Sequence, residues 1–272
     1  MVTKQRNAAL CLRSTPHYRR DAFQAGLERI GFKVWSASEM RPGPGDAIIC
    51  WNRYLAYEQA LQRYERAGAL VIIAENGYIG TDESGHHLFA LSLNQHNGAG
   101  TWPEGGPERW AALGMELRPW RSLPSRGRIV VLCQRGFGSA GVAMPKTWPE
   151  DVEKRLRAQT HRPIYVRKHP GPVDHGPGLI AEITGCYCAV TWGSGSAHKA
   201  LLAGYPVIAD MPNWIGQPAT AASLYDVDAC VSAPVDRRQG MFERLAWAQW
   251  SAAEIASGEA FKRYLTLHET RE

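Results

Sequence analysis

Long hydrophobic runs are absent from this 272-residue sequence, and so are internal repeats and low-complexity tracts. No apolar stretch approaches the roughly 20 residues that a membrane-spanning helix needs, and the start of the chain is too poor in apolar side chains for a secretion signal. We therefore expect a soluble, cytoplasmic protein without a membrane span. The length and the 44% hydrophobic content suffice for two compact domains or one large one.

Cysteine is scarce, and the six cysteines are scattered along the chain. Most of them lie in apolar, strand-like runs, where a free thiol behaves as a small hydrophobic side chain. Cys186 and Cys188 place their thiols on one face of a predicted strand, but no second pair completes a zinc set of the usual spacing. The sequence therefore predicts neither a disulfide framework nor a bound metal.

The positive charge is unevenly distributed. The formal net charge is +5, and residues 1–70 account for all of it, with 11 Lys and Arg against 6 Asp and Glu. Such an excess agrees with a polyanionic partner such as DNA, because basic side chains that contact phosphates release condensed counterions. An ordinary solvated surface with uneven charge explains the excess equally well.

Alternating strand and helix patterns predict an α/β fold. In the first half, strands are expected at residues 7–12, 32–35, 46–50 and 69–74, and helices at residues 21–30 and 55–67. In the second half, strands are expected at residues 128–133, 163–166, 186–191 and 205–209, and helices at residues 148–160, 193–203 and 241–267. Prolines, glycines and tryptophans interrupt residues 101–128, which predicts the connection between two domains, residues 1–124 and 125–272.

A strand, turn and helix unit carries the first sign of a binding site. After the buried strand that ends at Thr191, a turn of small residues opens a helix, and it consists of Gly193, Ser194, Gly195 and Ser196. Such a turn presents unpaired backbone N–H groups and the positive end of the helix dipole. Together these hold an anion such as phosphate.

Basic residues follow two other strands of the same predicted sheet. Arg167, Lys168 and His169 come at the end of one strand, and Arg135 and Gly136 follow another. Ligands of doubly wound sheets bind at the carboxyl edge, where such residues lie. With the glycine- and serine-rich turn, they predict a site for a diphosphate or a nucleotide.

The first domain offers a candidate general base and candidate acceptor contacts. Glu75 opens a predicted loop, residues 75–80, whose glycines let a substrate approach, although such a residue also serves as a turn cap. Weaker competitors for the role of base in the same region are Asp82, Glu83, His86 and His87. Acceptor contacts are expected from polar loops at strand ends, namely Arg13, His17, Arg19, Arg20, Asn76, Asn94, His96 and Asn97.

These motifs in this order resemble the glycosyltransferases with the two-Rossmann-domain architecture called GT-B, above all the bacterial sialyl- and Kdo-transferases of surface polysaccharide synthesis. His169-Pro170 is similar to their His-Pro motif, and Ser194 with Ser196 is similar to their paired serines. Glu75-Asn76-Gly77 is similar to their acidic motif, with an amide in place of one acid. The resemblance implies two Rossmann-like domains facing across a cleft, an acceptor-binding domain at residues 1–124 and a donor-binding domain with C-terminal helices at residues 125–272.

The resemblance also implies a reaction. A sugar would pass from a UDP- or CMP-sugar to a hydroxyl group, without a metal or a further cofactor. Glu75 would accept the proton, and His169 with the basic loops would stabilise the leaving phosphate. Asp226-Val227-Asp228 spells the Asp-X-Asp of metal-dependent glycosyltransferases. It sits late in a chain of a different fold type and precedes a strand, so we interpret it as coincidence.

Residues 75–80, 94–98 and 245–250 also look like parts of small proteins of tailed-phage genomes. Some phage glycosyltransferases modify hydroxymethylated pyrimidines of DNA, and the positive charge of residues 1–70 agrees with such an acceptor. We therefore predict a 5-hydroxymethylpyrimidine base of phage DNA as the acceptor. The alternatives are a glycosyltransferase of cell-surface polysaccharide, a sugar-nucleotide epimerase and, last, a non-catalytic nucleic-acid-binding protein.

Overall fold

The computed structural model describes residues 5–36, 41–169, 178–220, 224, 226–227 and 236–271. The chain divides into two compact units. Unit 1 consists of Met1–His96, Gly100–Gly106 and Ala246–Glu272, and unit 2 consists of Asn97–Ala99 and Pro107–Leu245. Each unit contains its own sheet, so the predicted α/β fold is confirmed for both.

In chain order the strands are β1 (Arg6–Cys11), β2 (Phe32–Trp35), β3 (Ala47–Trp51), β4 (Leu70–Thr81), β5 (His87–Leu93), β6 (Ile129–Leu132), β7 (Ile164–Arg167), β8 (Cys188–Thr191), β9 (Val207–Ala209) and β10 (Gln249–Trp250). The helices are α1 (Arg20–Arg29), α2 (Leu55–Arg66), α3 (Glu108–Ala112), α4 (Trp148–Arg157), α5 (Leu179–Ile183), α6 (Gly195–Leu202), α7 (Arg238–Ala246), α8 (Ala252–Ser257) and α9 (Glu259–Glu269).

The sheet of unit 1 has the order β10-β5-β4-β3-β1-β2. Strands β2, β1, β3 and β4 are parallel, whereas β5 and β10 are antiparallel additions at one side. Every residue of β3 is buried, as expected of a parallel strand that helices cover on both faces. Helix α2 packs Leu61 and Tyr64 on one face of this sheet. On the other face, the Phe23 ring of α1 lies 5.8 Å from Phe89 and 6.1 Å from Phe261.

The predicted loop at residues 75–80 is wrong, because β4 continues through Thr81 and pairs with β5. The two strands form a hairpin that extends past Trp51, the last residue of β3, which pairs with Ala74. The register shifts between Asn76 and Thr81, which marks a bulge in β4. Glycines at positions 77 and 80 suggested a loop, but here they accommodate an irregular strand.

The C-terminal residues belong to unit 1 and not, as predicted, to the second domain. They are also interrupted, because Gln249 and Trp250 form β10, which pairs with Ala90 and Phe89 of β5. Helices α8 and α9 then pack against α1. Their apolar side chains, such as Ile255, Phe261 and Tyr264, are fully buried there, which explains why the chain returns to the first sheet.

The sheet of unit 2 has the order β7-β6-β8-β9, and all of its strand pairs are parallel. Its core packs Ile129, Val131 and Val190 of the strands against Trp148 and Leu156 of α4. The four predicted strands of this half and its predicted helices at residues 148–160 and 193–203 are confirmed apart from small shifts at their ends, whereas the helix predicted at residues 241–267 is interrupted. Within the described ranges, no helix is long and apolar enough to cross a bilayer.

Gly26 marks a close approach between α1 and the C-terminal helices, and it gives a test of their packing. A Cβ atom at this position would lie 1.9 Å from the Ile255 carbonyl oxygen and 2.9 Å from the Phe261 ring. We expect Gly26→Ala to lower the free energy of unfolding by roughly 1–3 kcal/mol through overpacking, although alanine favours a helix by about 1 kcal/mol over glycine. Urea unfolding measures this, with the exposed Gln24→Ala of the same helix as control. A Gly26→Ala protein as stable as the control contradicts the packing.

Candidate functional site

Two hydrogen bonds connect three loops at the carboxyl edge of the unit 2 sheet. The Arg135 Nε, after β6, donates to His169 Nδ1, after β7, at 3.3 Å. The Gln134 Nε2 donates to the Gly193 carbonyl, after β8, at 3.0 Å. Because Nδ1 of His169 accepts, a neutral imidazole carries its proton on Nε2. Arg135, His169 and Gly193, one residue from each loop, therefore lie together.

The turn between β8 and α6 has the geometry of an anion site. Ser194 is the N-cap residue of α6, and its hydroxyl accepts a hydrogen bond from the Ser196 N–H at 3.2 Å. The Ser194 N–H donates to Oγ1 of Thr191, the last residue of β8, at 2.9 Å, and this hydrogen bond holds the turn at the end of the strand. Within the described part of the chain, the N–H groups of Gly193 and Gly195 have no hydrogen-bond acceptor. They remain available to an anion at the positive end of α6.

The three basic residues at the end of β7 separate into two groups. Arg167 is buried, and its Nε forms an ion pair with Glu182 of α5. Its guanidinium therefore holds α5 on the sheet. Lys168 and His169 are exposed at the carboxyl edge, next to exposed Arg135. Pro170, the second residue of the predicted His-Pro motif, lies outside the described residues, as does Asp228 of the Asp-X-Asp sequence.

His198 lies within α6, shortly after the Gly193–Ser196 turn. Its side chain is fully buried and stacks on Trp214, with ring centroids 4.7 Å apart. Burial lowers the pKa of His198 to about 3. The imidazole is therefore neutral at pH 7 and serves as a packing residue behind the turn.

In unit 1, Glu75 lies on β4, just past the end of β3, and it is half-buried. Its Oε1 accepts a hydrogen bond from the Tyr78 hydroxyl at 2.6 Å. Asn76 is the next residue of the same strand, and it is exposed. Strand pairing with β5 holds both residues, since Glu75 pairs with Ala90 and Asn76 with Phe89.

The loop after β1 brings His17 against the β4–β5 hairpin. The His17 ring stacks on His87 at 5.0 Å between centroids and contacts the Trp51 ring at 5.7 Å. Partial burial, with smaller contributions from His17 and Arg19, lowers the pKa of His87. Arg13 and Arg19 are exposed on this loop, so two predicted acceptor cations lie at the carboxyl edge of the first sheet.

Other predicted acceptor residues have a part in the fold. Arg20 donates to the carbonyls of Leu10 and Leu12 at 2.7 and 2.9 Å, which closes the end of β1. Asn94 offers its carbonyl to Arg53 Nη1 at 2.7 Å. His96 is buried and accepts from the Arg53 backbone N–H at 3.4 Å.

Arg53 is the centre of this group, although it is not among the residues that the sequence pattern predicts for the site. Its guanidinium is 5% exposed and forms ion pairs with Glu58 and Glu65 of α2. The hydrogen bond from Arg53 lowers the pKa of Glu58. Two glutamates seven positions apart share one face of a helix, and they were the signal that could have indicated a buried cation.

Asn97 is separated from Asn94 and His96, because residues Asn97–Ala99 belong to unit 2. Its side-chain amide donates to the Phe137 carbonyl at 3.3 Å, in the loop after β6. The next residue, Gly98, accepts from the Ile215 N–H at 2.7 Å. Asn97 therefore lies next to the loop of Arg135 and Gly136, with the predicted donor residues.

A cavity of about 640 Å³ lies at the opposite edge of the unit 2 sheet. Its walls include Arg118, Trp120 and Arg121, and its floor includes Cys186 and Tyr205, which precede β8 and β9. Burial raises the pKa of the Cys186 thiol to about 11. This cavity is at the amino ends of the strands and is distinct from the three loops described above.

In the part of the chain that the structure describes, no three His, Cys, Asp or Glu residues form a metal-binding group.

The buried His198 predicts a pH dependence of stability. Its pKa is about 3 in the folded state and about 6.5 in an unfolded chain, so between these values the unfolded state binds the proton that the folded state excludes. Stability is therefore lost as the pH falls below 6.5, by at most about 1.4 kcal/mol per pH unit from this residue. We expect His198→Phe to flatten urea-unfolding stability between pH 6.5 and 4.5, whereas the exposed His161→Phe leaves the slope unchanged. Equal slopes in all three proteins would show that His198 is not buried neutral.

No protein-family model and no curated protein sequence matches this chain. Its fold is nevertheless similar to solved structures of KpsC from Thermosulfurimonas dismutans. The beta Kdo 2,4 transferase matches with a TM-score of 0.53 and 18% identity, over 89% of this chain and 89% of that chain. The beta Kdo 2,7 transferase matches with a TM-score of 0.52 and 17% identity, over 96% of this chain and 99% of that chain. The likeness shows that the chain shares the mixed α/β fold of these two structures.

Proposed function

We propose that this protein is a glycosyltransferase of the GT-B type that moves a sugar from a nucleotide sugar to a hydroxyl group of a glycan. The observation that carries the proposal is the convergence of Arg135, His169 and the Gly193–Ser196 turn at one sheet edge. The fold likeness to two Kdo transferases over nearly the whole chain supports it. In this proposal unit 2 binds the donor and unit 1 binds the acceptor.

The donor site works by stabilising the leaving phosphate. As the bond between the anomeric carbon and the phosphate oxygen breaks, negative charge grows on that oxygen. In our proposal the guanidinium of Arg135, the ammonium of Lys168 and the imidazole of His169 donate to this oxygen, and the N–H groups of Gly193 and Gly195 add two more donors. Preorganised donors of this kind stabilise a transition state without reorganisation. In our proposal this set takes the place of a metal, and the nucleotide sugar is a co-substrate with no resident cofactor.

The acceptor half of the reaction needs a proton acceptor. Glu75 fills this role in our proposal: the attacking hydroxyl oxygen forms a bond to the anomeric carbon, and its proton passes to the carboxylate. The exposed polar groups of the loop after β1, Arg13, His17 and Arg19, lie at the same edge of the unit 1 sheet as Glu75 and bind the acceptor.

The distribution of charge favours a glycan over DNA as acceptor. Within the described part of residues 1–70, several basic residues do not contribute to a positive surface at the carboxyl edge. Arg53 is buried between two carboxylates, Arg20 donates to β1 carbonyls, and Arg6 donates to the Ile30 carbonyl at 2.9 Å near the amino end of β1. The named activities of the two similar structures are also transfers of Kdo, a sugar. The DNA acceptor stays a prediction, without support from these observations.

The donor site predicts which substitutions slow the release of nucleotide. With a panel of CMP- and UDP-sugars, we expect the native protein to release nucleotide slowly without acceptor. His169→Ala should lower the rate by about 100-fold, and Arg135→Ala by roughly 10- to 100-fold, because each removes a donor to the leaving phosphate. The matched control is Arg126→Ala, which removes an exposed guanidinium at the opposite, amino edge of β6. Equal losses in Arg126→Ala and Arg135→Ala, or no nucleotide release by the native protein with any donor and acceptor, would refute the proposal.

The acceptor class is tested by product mass and by salt. We expect a sugar-sized mass increase on oligosaccharide acceptors and none on hydroxymethylcytosine- or hydroxymethyluracil-containing DNA. We also expect the acceptor KM to change little between 50 and 200 mM salt, whereas a DNA acceptor gripped by several phosphate contacts loses about 10³-fold or more in affinity over that range. A sugar-sized mass increase on the DNA bases, together with a KM for DNA that depends strongly on salt, would establish the DNA acceptor instead.

A further inference from the structure

A chain of three polar contacts connects the C-terminal segment to the carboxylate of Glu75. The Gln249 side chain is fully buried, and its Oε1 accepts hydrogen bonds from the backbone N–H groups of Tyr78 at 2.5 Å and Ile79 at 3.0 Å. The Tyr78 hydroxyl then donates to Glu75 Oε1 at 2.6 Å. Gln249 is 171 residues from Tyr78 in sequence, so the contact exists only because β10 joins the unit 1 sheet.

The bulge in β4 explains why these contacts are needed. Between Asn76 and Thr81 the register with β5 shifts, so the N–H groups of Tyr78 and Ile79 are bonded to the Gln249 amide oxygen. Tyr78 is 8% exposed and Ile79 is 5% exposed, and buried N–H groups without an acceptor are costly. Gln249 satisfies both groups and fixes the bulge in one conformation.

Gly77 restricts the bulge from the other side. A Cβ atom at this position would lie 2.7 Å from the Leu88 carbonyl oxygen, so the backbone of β4 approaches β5 as closely as only glycine permits. The turn of the strand at Gly77 brings the side chains of Glu75 and Tyr78 together. In a regular strand, side chains three positions apart point to opposite faces of the sheet. The bulge therefore creates the Glu75–Tyr78 contact.

We infer that Tyr78 is a positioning residue for the Glu75 carboxylate and that Gln249 positions Tyr78 in turn. This inference rests on the proposed function, in which Glu75 accepts the proton of the attacking hydroxyl. Tyr78 keeps its own proton throughout and donates a hydrogen bond to the carboxylate, which limits rotation of the Glu75 side chain. The carboxylate is thereby held in one orientation toward the acceptor before the substrate arrives.

The Tyr78→Phe variant distinguishes an effect on catalysis, measured as kcat, from an effect on acceptor binding, measured as KM. Removing the hydroxyl leaves the ring and the fold in place, but it removes the hydrogen bond that the Tyr78 hydroxyl donates to Glu75 Oε1. We expect kcat for transfer to fall roughly 10- to 100-fold, as for a misplaced catalytic group, with little change in the acceptor KM. We also expect the acid limb of the pH–rate profile to move to higher pH, because a carboxylate that loses a hydrogen-bond donor is protonated more easily.

Tyr264→Phe is the matched control in the same unit. Tyr264 is also buried, and its hydroxyl donates to the Leu91 carbonyl at 2.5 Å, so the substitution removes one buried hydrogen bond without touching Glu75. Its stability should fall about as much as that of Tyr78→Phe, while kcat and the pH profile of transfer stay native. If both variants lose kcat equally, or if Tyr78→Phe keeps native kcat and pH profile, the positioning role is wrong.

Gln249→Met tests the second contact, since methionine has a similar length but no strong acceptor. We expect a lower kcat for transfer and the same shift in the acid limb of the pH–rate profile as in Tyr78→Phe. Both are measured at a temperature at which urea unfolding shows that the variant is folded. Nucleotide release without acceptor serves as the separate readout of unit 2 and should stay native in both variants. No nucleotide release by the native protein with any donor and acceptor would refute the proposed function itself, whereas native transfer by a folded Gln249→Met protein would refute only the role of Gln249.

Discussion

Parallel strand pairing is the constraint on which both units depend. Because parallel neighbours point their carboxyl ends to one edge, the loops that follow them meet there whatever their separation in sequence. Arg135 and His169 are 34 residues apart, and Gln134 and Gly193 are 59 apart, yet both pairs are within hydrogen-bond distance. In unit 1 the same constraint brings the loop after β1 to the end of β3, where the His17 and Trp51 rings are in contact.

Arginine serves two different purposes in this protein, and burial distinguishes them. Arg20, Arg53 and Arg167 direct their guanidinium groups inward, to carbonyls or to glutamates, and thereby fix a strand end, a loop and a helix. A guanidinium with five donors suits this task, because it satisfies several acceptors from different segments at once. Arg135 and Arg13 are exposed at the carboxyl edges and carry charge that a ligand can meet. The basic residues near a predicted site are therefore divided between building the site and offering charge to it.

The end of the chain contributes to the first unit as much as its beginning does. Strand β10 extends the sheet, helices α8 and α9 cover α1, and Gln249 holds the bulge that carries Tyr78. A glycosyl transfer divides into departure of a phosphate and activation of a hydroxyl, and the two halves need opposite electrostatics. In the proposed reaction unit 2 supplies cations and N–H groups for the first, and the Glu75 carboxylate of unit 1 serves the second.

Local patterns in the sequence determined the elements and the anion turn. Apolar runs such as residues 69–74 and 186–191 predicted buried strands, and Gly193-Ser194-Gly195-Ser196 predicted the turn that opens a helix, because hydrophobic periodicity and turn preferences act over a few residues. Tertiary structure decided the rest. Glu75 lies in a paired strand and not in a loop because β5 offers it a partner, Arg167 points to Glu182 because α5 covers it, and Gln249 reaches Tyr78 across 171 residues. These outcomes depend on contacts between distant segments, and propensity or spacing within one segment contains no information about them.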